Sequence, residues 1–163
     1  MDQLVQWRSQ PEAQQNQPIS ALNRDQLLRF IEQRKSSDPA GLEDSEYILI
    51  IEDEDNGEGV GWLTLEITSR LHGLARIGYT IDRERWGQGY ATVAVEAIVH
   101  WLFTDTVIQR VEADCSIDNP ASKRVLEKCG FEQVGIKHSY LVIHGKRVDH
   151  YYFERLREND TGD

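Results

Sequence analysis

Apolar positions along the chain change period several times, and each change marks an element. After Ser20, a residue suited to capping, Leu22, Leu27, Leu28, Phe30 and Ile31 include i, i+3 and i+4 spacings, which predicts a helix ending before Asp38-Pro39. Tyr47–Ile51 is a continuous apolar run of strand length. Asn56-Gly57 then signals a hairpin turn into a second strand, Val60–Ile67, and a third strand follows at Leu74–Ile81.

Beyond that point the period lengthens. Val93, Ala94, Ala97, Ile98, Trp101 and Leu102 recur at helical spacing, which predicts an amphipathic helix over 88–104 with those residues as its buried face. Arg110–Ile117 alternates, sending Val111, Ala113, Cys115 and Ile117 to one face of a strand. Asn119 caps the next helix with Pro120 at its first position, and Gly130 closes it with Phe131 packing back. Two strands, Val134–Val142 and Arg147–Arg155, are joined at His144-Gly145. The order predicts an α+β fold: a central mixed, mostly antiparallel sheet with one βαβ crossover and flanking helices. The whole of 1–163 reads as one domain, with a loosely ordered lead-in over 1–20 anchored by Trp7 and a tail over 156–163.

Composition narrows the function. The chain has 163 residues, 39% hydrophobic, with 18 Lys+Arg against 28 Asp+Glu and a formal net charge of −10. A chain this long buries roughly 70% of its unfolded surface, so neither disulfides nor a metal is needed to hold a core. The charge argues against a nucleic-acid duplex, which requires clustered Lys and Arg, and favours a cationic partner. No run approaches the ~18 apolar residues of a membrane span, and the amino terminus has no apolar signal core, so no membrane contact and a cytoplasmic location are expected. Cys115 and Cys129 have no CxxC context and fall at apolar positions, so they are expected in the core and no metal site is expected. Residues 43–58 hold eight acidic side chains and no basic one, either a solvated hairpin tip or a rim that recruits a cation.

Chemistry concentrates in Asp82–Thr92, a Gly-bearing turn between a strand and a long helix. Gly87 and Gly89 permit positive φ and close approach, and the helix behind adds its positive dipole end, together an anion cradle suited to a pyrophosphate. A P-loop would place Lys-Ser/Thr after the glycine, where Tyr90-Ala91 stand. A Rossmann fingerprint would end in Gly or Ala, where Thr92 stands. Coenzyme A is the third candidate.

At this point the residues resemble the GNAT superfamily of acyl-CoA-dependent N-acetyltransferases. Its pyrophosphate loop, Arg/Gln-x-x-Gly-x-Gly/Ala, is filled by Trp86-Gly-Gln-Gly89-Tyr-Ala91, in a variant similar to the ribosomal-protein alanine N-acetyltransferase branch. Asn119-Pro-Ala-Ser122-Lys-Arg-Val-Leu126-Glu-Lys-Cys-Gly130-Phe131 resembles the second block, and Gly145-Lys-Arg-Val-Asp149-His150 the closing hairpin. Two departures stand out. The opening strand and helix look shortened, ending near Trp7–Glu12, which would leave a sheet edge for a homodimer partner to cover. The Tyr that many members use to protonate the leaving thiolate is replaced by Leu126.

The resemblance implies acetyl-CoA as co-substrate and a primary amine as acceptor, either a small cationic molecule or a protein amino terminus, attacked directly in a ternary complex. It implies that the backbone of Tyr79, Thr80 and Ile81 pairs with pantetheine and the thioester carbonyl, and that Trp86, Gly87, Gln88, Gly89, Tyr90, Ala91 and Thr92 surround the pyrophosphate. Asn119 caps a helix and is placed to meet pantetheine. Lys123 is in reach of the phosphates, with Arg124 a surface charge. Ser122 is the expected proton donor to the thiolate, since no other nearby hydroxyl or thiol is expected to face the cleft; the alternative is a solvated helix-start serine. No carboxylate on the strand 74–81 can serve as base, which leaves Glu66, Glu112 and Asp149, acting through water, or an acceptor that needs little help. A lysine-like amine, pKa ~10.4, costs about 4.6 kcal/mol to neutralise at pH 7, an α-amine about 1 kcal/mol. The rival readings are a catalytically silent acyl-CoA-binding domain of the same fold and a cation-binding module that ignores CoA.

Overall fold

A computed structural model describes Gln6 and residues 46–158. The helix expected from Ser20, the shortened opening unit, the rest of the lead-in and 159–163 of the tail lie outside the described residues.

Among the described residues, six strands and two α-helices follow in the expected order: β1 (Glu46–Glu52), β2 (Gly59–Ser69), β3 (Leu74–Ile81), α1 (Tyr90–Asp105), β4 (Arg110–Ser116), α2 (Pro120–Lys128), β5 (Glu132–Ile143) and β6 (Lys146–Leu156). The sheet runs β1-β2-β3-β4-β6-β5. Only β3 and β4 are parallel, joined by the crossover through α1; every other pair is antiparallel. The α+β reading therefore holds.

Strand parity divides the sheet into two faces. Leu63, Leu65, Ile67, Ala75, Ile77, Val111, Ala113 and Phe153 form a buried cluster with Val95, Val99 and Leu102 of α1 and Leu126 of α2. The buried stripe of α1 is rotated from the expected one: Val93 is 66% exposed and Trp101 only half-buried. The helix is apolar on most of its circumference, so periodicity alone does not choose the inward side, and packing on the sheet decides. Ile117 is exposed as well, because β4 ends at Ser116 and the alternation stops there.

The feature that makes a site is a split in the sheet. β3 and β4 pair from Leu74↔Arg110 only as far as Ile77↔Ala113. Beyond that, β3 follows β2 to Gly61↔Ile81, while β4 follows β6 to Ser116↔His150. Gly61 permits this, since a Cβ there would collide with the Thr80 carbonyl oxygen. β2 therefore holds the outer half of β3 away from β4.

Candidate active site

A cleft of about 960 Å³ passes through the split and is lined from both faces of the sheet.

On the helical side lies the glycine loop. Gly87 and Gly89 have φ of 73° and 88°, a region that side-chain-bearing residues rarely adopt, and Gly89 is the N-cap of α1. A Cβ at either position would meet no protein atom within 4 Å; it would occupy open space. Trp86, 55% exposed, donates its indole N–H to the Ile81 carbonyl at 2.8 Å and so ties the loop to the end of β3. Trp86, Gly87, Gly89, Tyr90, Ala91 and Thr92 line the cleft, as do Tyr79, Thr80 and Ile81, whereas Gln88 lies off it and reaches the Glu84 carbonyl at 3.3 Å.

The acidic hairpin turn braces this loop. Asp53 is buried, accepts the amide N–H of Asp55 at 2.9 Å, and receives the Tyr90 hydroxyl with its other oxygen. That hydroxyl holds the Asp53 carboxyl below the usual carboxylate range and, reciprocally, raises the Tyr90 phenol. Glu58 pairs with Arg85 at 2.5 Å. Of the two readings of the acidic segment, neither a purely solvated tip nor a rim describes Asp53 and Glu58: both are spent on the loop.

From α2, the Asn119 side chain accepts the Ser122 amide at 3.1 Å, a capping bond, and both residues line the cleft. The Ser122 hydroxyl lies 2.8 Å from the Tyr79 hydroxyl, which also reaches the Ser122 carbonyl at 3.2 Å. Burial pushes the Tyr79 phenol well above its ordinary value, so it stays protonated. This corrects the expectation that no other hydroxyl faces the cleft beside Ser122. The signal was available, because strand parity puts Tyr79 on the same side as Ala75 and Ile77, towards the helices. Cys115 shares that side, and burial pushes its thiol up to about 11, so it is a neutral thiol and no nucleophile. Lys123 lies off the cleft, over the Tyr151 ring at 4.5 Å and 3.8 Å from Glu127; Arg124 and Lys128 line it instead.

The opposite face is built by register. Glu46, Glu66, Arg76 and Glu112 stand directly across from one another on β1 to β4. Arg76 lies 3.9 Å from Glu66 and 4.0 Å from Glu112. Glu46, Glu66, Asp114, Tyr140 and His150 line the cleft, and Asp114 pairs with Lys137 at 3.2 Å. Asp149 does not line it. Its carboxylate accepts the Ser139 amide at 2.7 Å and contacts His138 at 2.9 Å, which pins an irregularity in β5 where Ser139 takes φ 50°. The Ser139 amide, with His138 after it, lowers the Asp149 carboxyl below the usual range. Asp114, Tyr140, His150 and Glu46 were not anticipated, because only cross-strand register and the β5 irregularity bring them together.

The Acetyltransferase (GNAT) domain family matches residues 1–132 of the chain. The chain belongs to that family. It is an N-acetyltransferase, similar at 26% identity to the uncharacterized N-acetyltransferase p20 of Bacillus licheniformis over 99% of this chain and 89% of that protein. It spans about half the length of other curated relatives it matches. Among solved structures, a spermidine N-acetyltransferase from Vibrio cholerae in complex with CoA and spermine aligns with a TM-score of 0.84 and 17% identity, over 96% of this chain and 89% of that one. The ribosomal-protein-S5-alanine acetyltransferase from Vibrio fischeri aligns with a TM-score of 0.79 and 20% identity, over 96% and 87%. These two likenesses concern the fold. Among the described residues no helix of this GNAT domain is long and apolar enough to cross a membrane, and no group of three or more His, Cys, Asp or Glu is arranged to hold a metal ion.

Proposed function

We propose that this acetyltransferase moves acetyl from acetyl-CoA to the primary amine of a small cationic molecule, by direct attack in a ternary complex. The observation that carries the reading is the division of charge along one cleft. Arg85, Arg124 and Lys128 line its glycine-loop end, and Glu46, Glu66 and Asp114, three carboxylates around the single cation Arg76, line the far face of the sheet. A polyanionic coenzyme fits the first end, where positive-φ glycines open the backbone and α1 presents its N-terminus. An ammonium group fits the second.

The coenzyme supplies an activated thioester. Chain atoms supply the rest. The gap beside Thr80 and Ile81 gives pantetheine a strand edge, and backbone donors there would stabilise a developing oxyanion, an effect of ~3 kcal/mol in other enzymes. When the Tyr79 hydroxyl donates to the Ser122 hydroxyl oxygen, one of the two senses their 2.8 Å contact allows, the Ser122 hydroxyl proton is free for the leaving sulfur. Cys115, as a neutral buried thiol, stays out of the path. The hydroxyl pair is what favours an enzyme over a silent acyl-CoA-binding domain.

The test is release of free CoA from acetyl-CoA in the presence of polyamines, aminoglycosides, amino acids and amino-terminal peptides. Turnover with small polycationic amines is expected. Tight CoA binding with no release against any amine would sink the reading in favour of the silent domain. Turnover confined to peptides would transfer it to protein amino termini.

A further inference from the structure

We infer that His150 is the base that takes the proton from the acceptor ammonium, an assignment that rests on the amine acetyl transfer proposed above. His150 lies on β6, is 1% exposed, and lines the cleft; among the described residues it is the one imidazole that does. It stands directly across from Ser116, at the end of β4 that has parted from β3. The cleft wall therefore places it one strand from the gap that would take the pantetheine arm.

One contact bears on the tautomer. The Nδ1 atom is 3.3 Å from the Val148 carbonyl oxygen, which only accepts, so a hydrogen bond there requires the proton on Nδ1 and leaves Nε2 as the atom to take one from the acceptor. The Tyr140 ring meets the imidazole edge-on at 5.5 Å between centroids and 73° between planes, which limits its rotation. Among the titratable groups on the strands around it are Glu112 and Asp114 of β4, Lys137, His138 and Tyr140 of β5, and Arg147, Asp149 and Tyr152 of β6. The competing carboxylates are engaged or remote: Asp114 pairs with Lys137 and Glu66 with Arg76, Asp149 holds the β5 irregularity outside the cleft, and Glu46 stands on β1, with β2 and β3 between it and the gap.

The step balances as follows. The ammonium gives one proton to Nε2, and the freed nitrogen lone pair forms the C–N bond to the thioester carbonyl carbon. The C–S bond breaks and sulfur leaves with its electron pair, taking a proton from the Ser122 hydroxyl. The nitrogen loses its second proton, which restores Ser122, and His150 returns its own to water. The sum is R–NH3+ plus acetyl-CoA giving R–NH–acetyl, CoA–SH and H+.

The experiment compares wild type, His150→Gln and His150→Ala with the best amine of the panel from pH 6 to 10, alongside CoA calorimetry. His150→Gln is expected to lower kcat by about 10²-fold, to abolish the ascending limb of the kcat/KM profile and to leave CoA affinity within about twofold. Added imidazole should restore part of the His150→Ala turnover. Turnover of His150→Gln within about threefold of wild type, with the wild-type profile, overturns the assignment alone. Nitrogen-15 spectra of the wild-type protein provide a check that needs no variant: a proton on Nε2 rather than Nδ1 at neutral pH also overturns it. A wild type that binds CoA and acetylates no amine overturns this assignment and the proposed function together.

Discussion

The two ends of the cleft are built on different principles. At the end proposed for the coenzyme, the loop 86–92 is one contiguous stretch, and its shape follows from local chemistry: glycines with φ of 73° and 88° and a helix that begins at once. At the acceptor end no two of Glu46, Glu66, Asp114, Tyr140 and His150 are neighbours in the chain; they come from five strands. The first end offers the backbone itself to whatever binds there. The second offers side chains placed by register, so it can change with any single substitution while the sheet persists. On the function proposed above, that difference lets the coenzyme end stay constant while the acceptor end varies.

The sharpest way to break the comparison is at the loop. Gly89→Val forces a β-branched residue into a positive-φ position and puts a Cβ into the open cleft, so CoA binding should fall below detection by calorimetry. Circular dichroism should remain that of the folded protein, because no protein atom is displaced. Unchanged affinity would mean that the loop is a turn and nothing more.

Next in size is Ser122→Ala, expected to lower kcat by about 10²-fold with KM for acetyl-CoA nearly unchanged, the pattern of an interaction made in the transition state. Tyr79→Phe should act in the same direction and more weakly, roughly tenfold, since it removes only the partner 2.8 Å from that hydroxyl. Turnover of Ser122→Ala within about threefold of wild type would leave water as the acid.

At the acceptor end single substitutions should cost less. Asp114→Asn, which also releases Lys137 as an unmatched positive charge, should raise KM for a cationic amine about tenfold. Glu66→Gln should raise it about threefold, and KM for acetyl-CoA should not move in either variant. Added salt should shrink both effects. A parallel rise in the acetyl-CoA KM would show that the two ends are not separate.

The same contrast governs what the sequence disclosed. The strands were legible from apolar runs and alternation, and the positive-φ turn into α1 from the spacing of Gly87 and Gly89. The buried side of α1 was not, because Val93, Val95, Ile98 and Val99 are apolar in every direction and only contact with β2–β4 selects Val95 and Val99. Tyr79 was legible by strand parity, had its parity been followed across to α2. Asp114 and His150 depend on where β4 leaves β3 and where β5 irregularly shifts register, and neither is encoded by local pattern.

Beside each end, outside the cleft lining, one carboxyl is held below its ordinary range, Asp53 by the Tyr90 hydroxyl and Asp149 by the Ser139 amide. A carboxylate whose folded pKa is depressed contributes stability in full above the unfolded value of ~3.9 and loses it as pH falls through the folded value. Asp53→Asn and Asp149→Asn should therefore each flatten the fall of Tm below about pH 4. They should differ in consequence: the first weakens CoA binding, the second leaves it alone and raises KM for the amine by disturbing Tyr140. An unaltered acid profile in both would mean that these contacts persist equally in the unfolded chain.

The smallest effect concerns Glu58, which lies 2.5 Å from Arg85 with side chains 58% and 33% exposed. An exposed pair of this kind is worth only ~0–1 kcal/mol, so Glu58→Gln should shift Tm very little. The functional sign is less obvious. Glu58 neutralises a guanidinium that lines the coenzyme end of the cleft, so a phosphate entering there must compete with it for Arg85. Removing the carboxylate frees the cation and subtracts a negative charge from the neighbourhood of a polyanion. Both changes favour binding, and 0.5–1 kcal/mol corresponds to about two- to fivefold tighter CoA. The gain should fade between low salt and ~0.5 M, where the Debye length is only about 4 Å. If Glu58 instead serves to position Arg85 for the phosphate, affinity falls in Glu58→Gln. Calorimetry at two salt concentrations reads the sign directly.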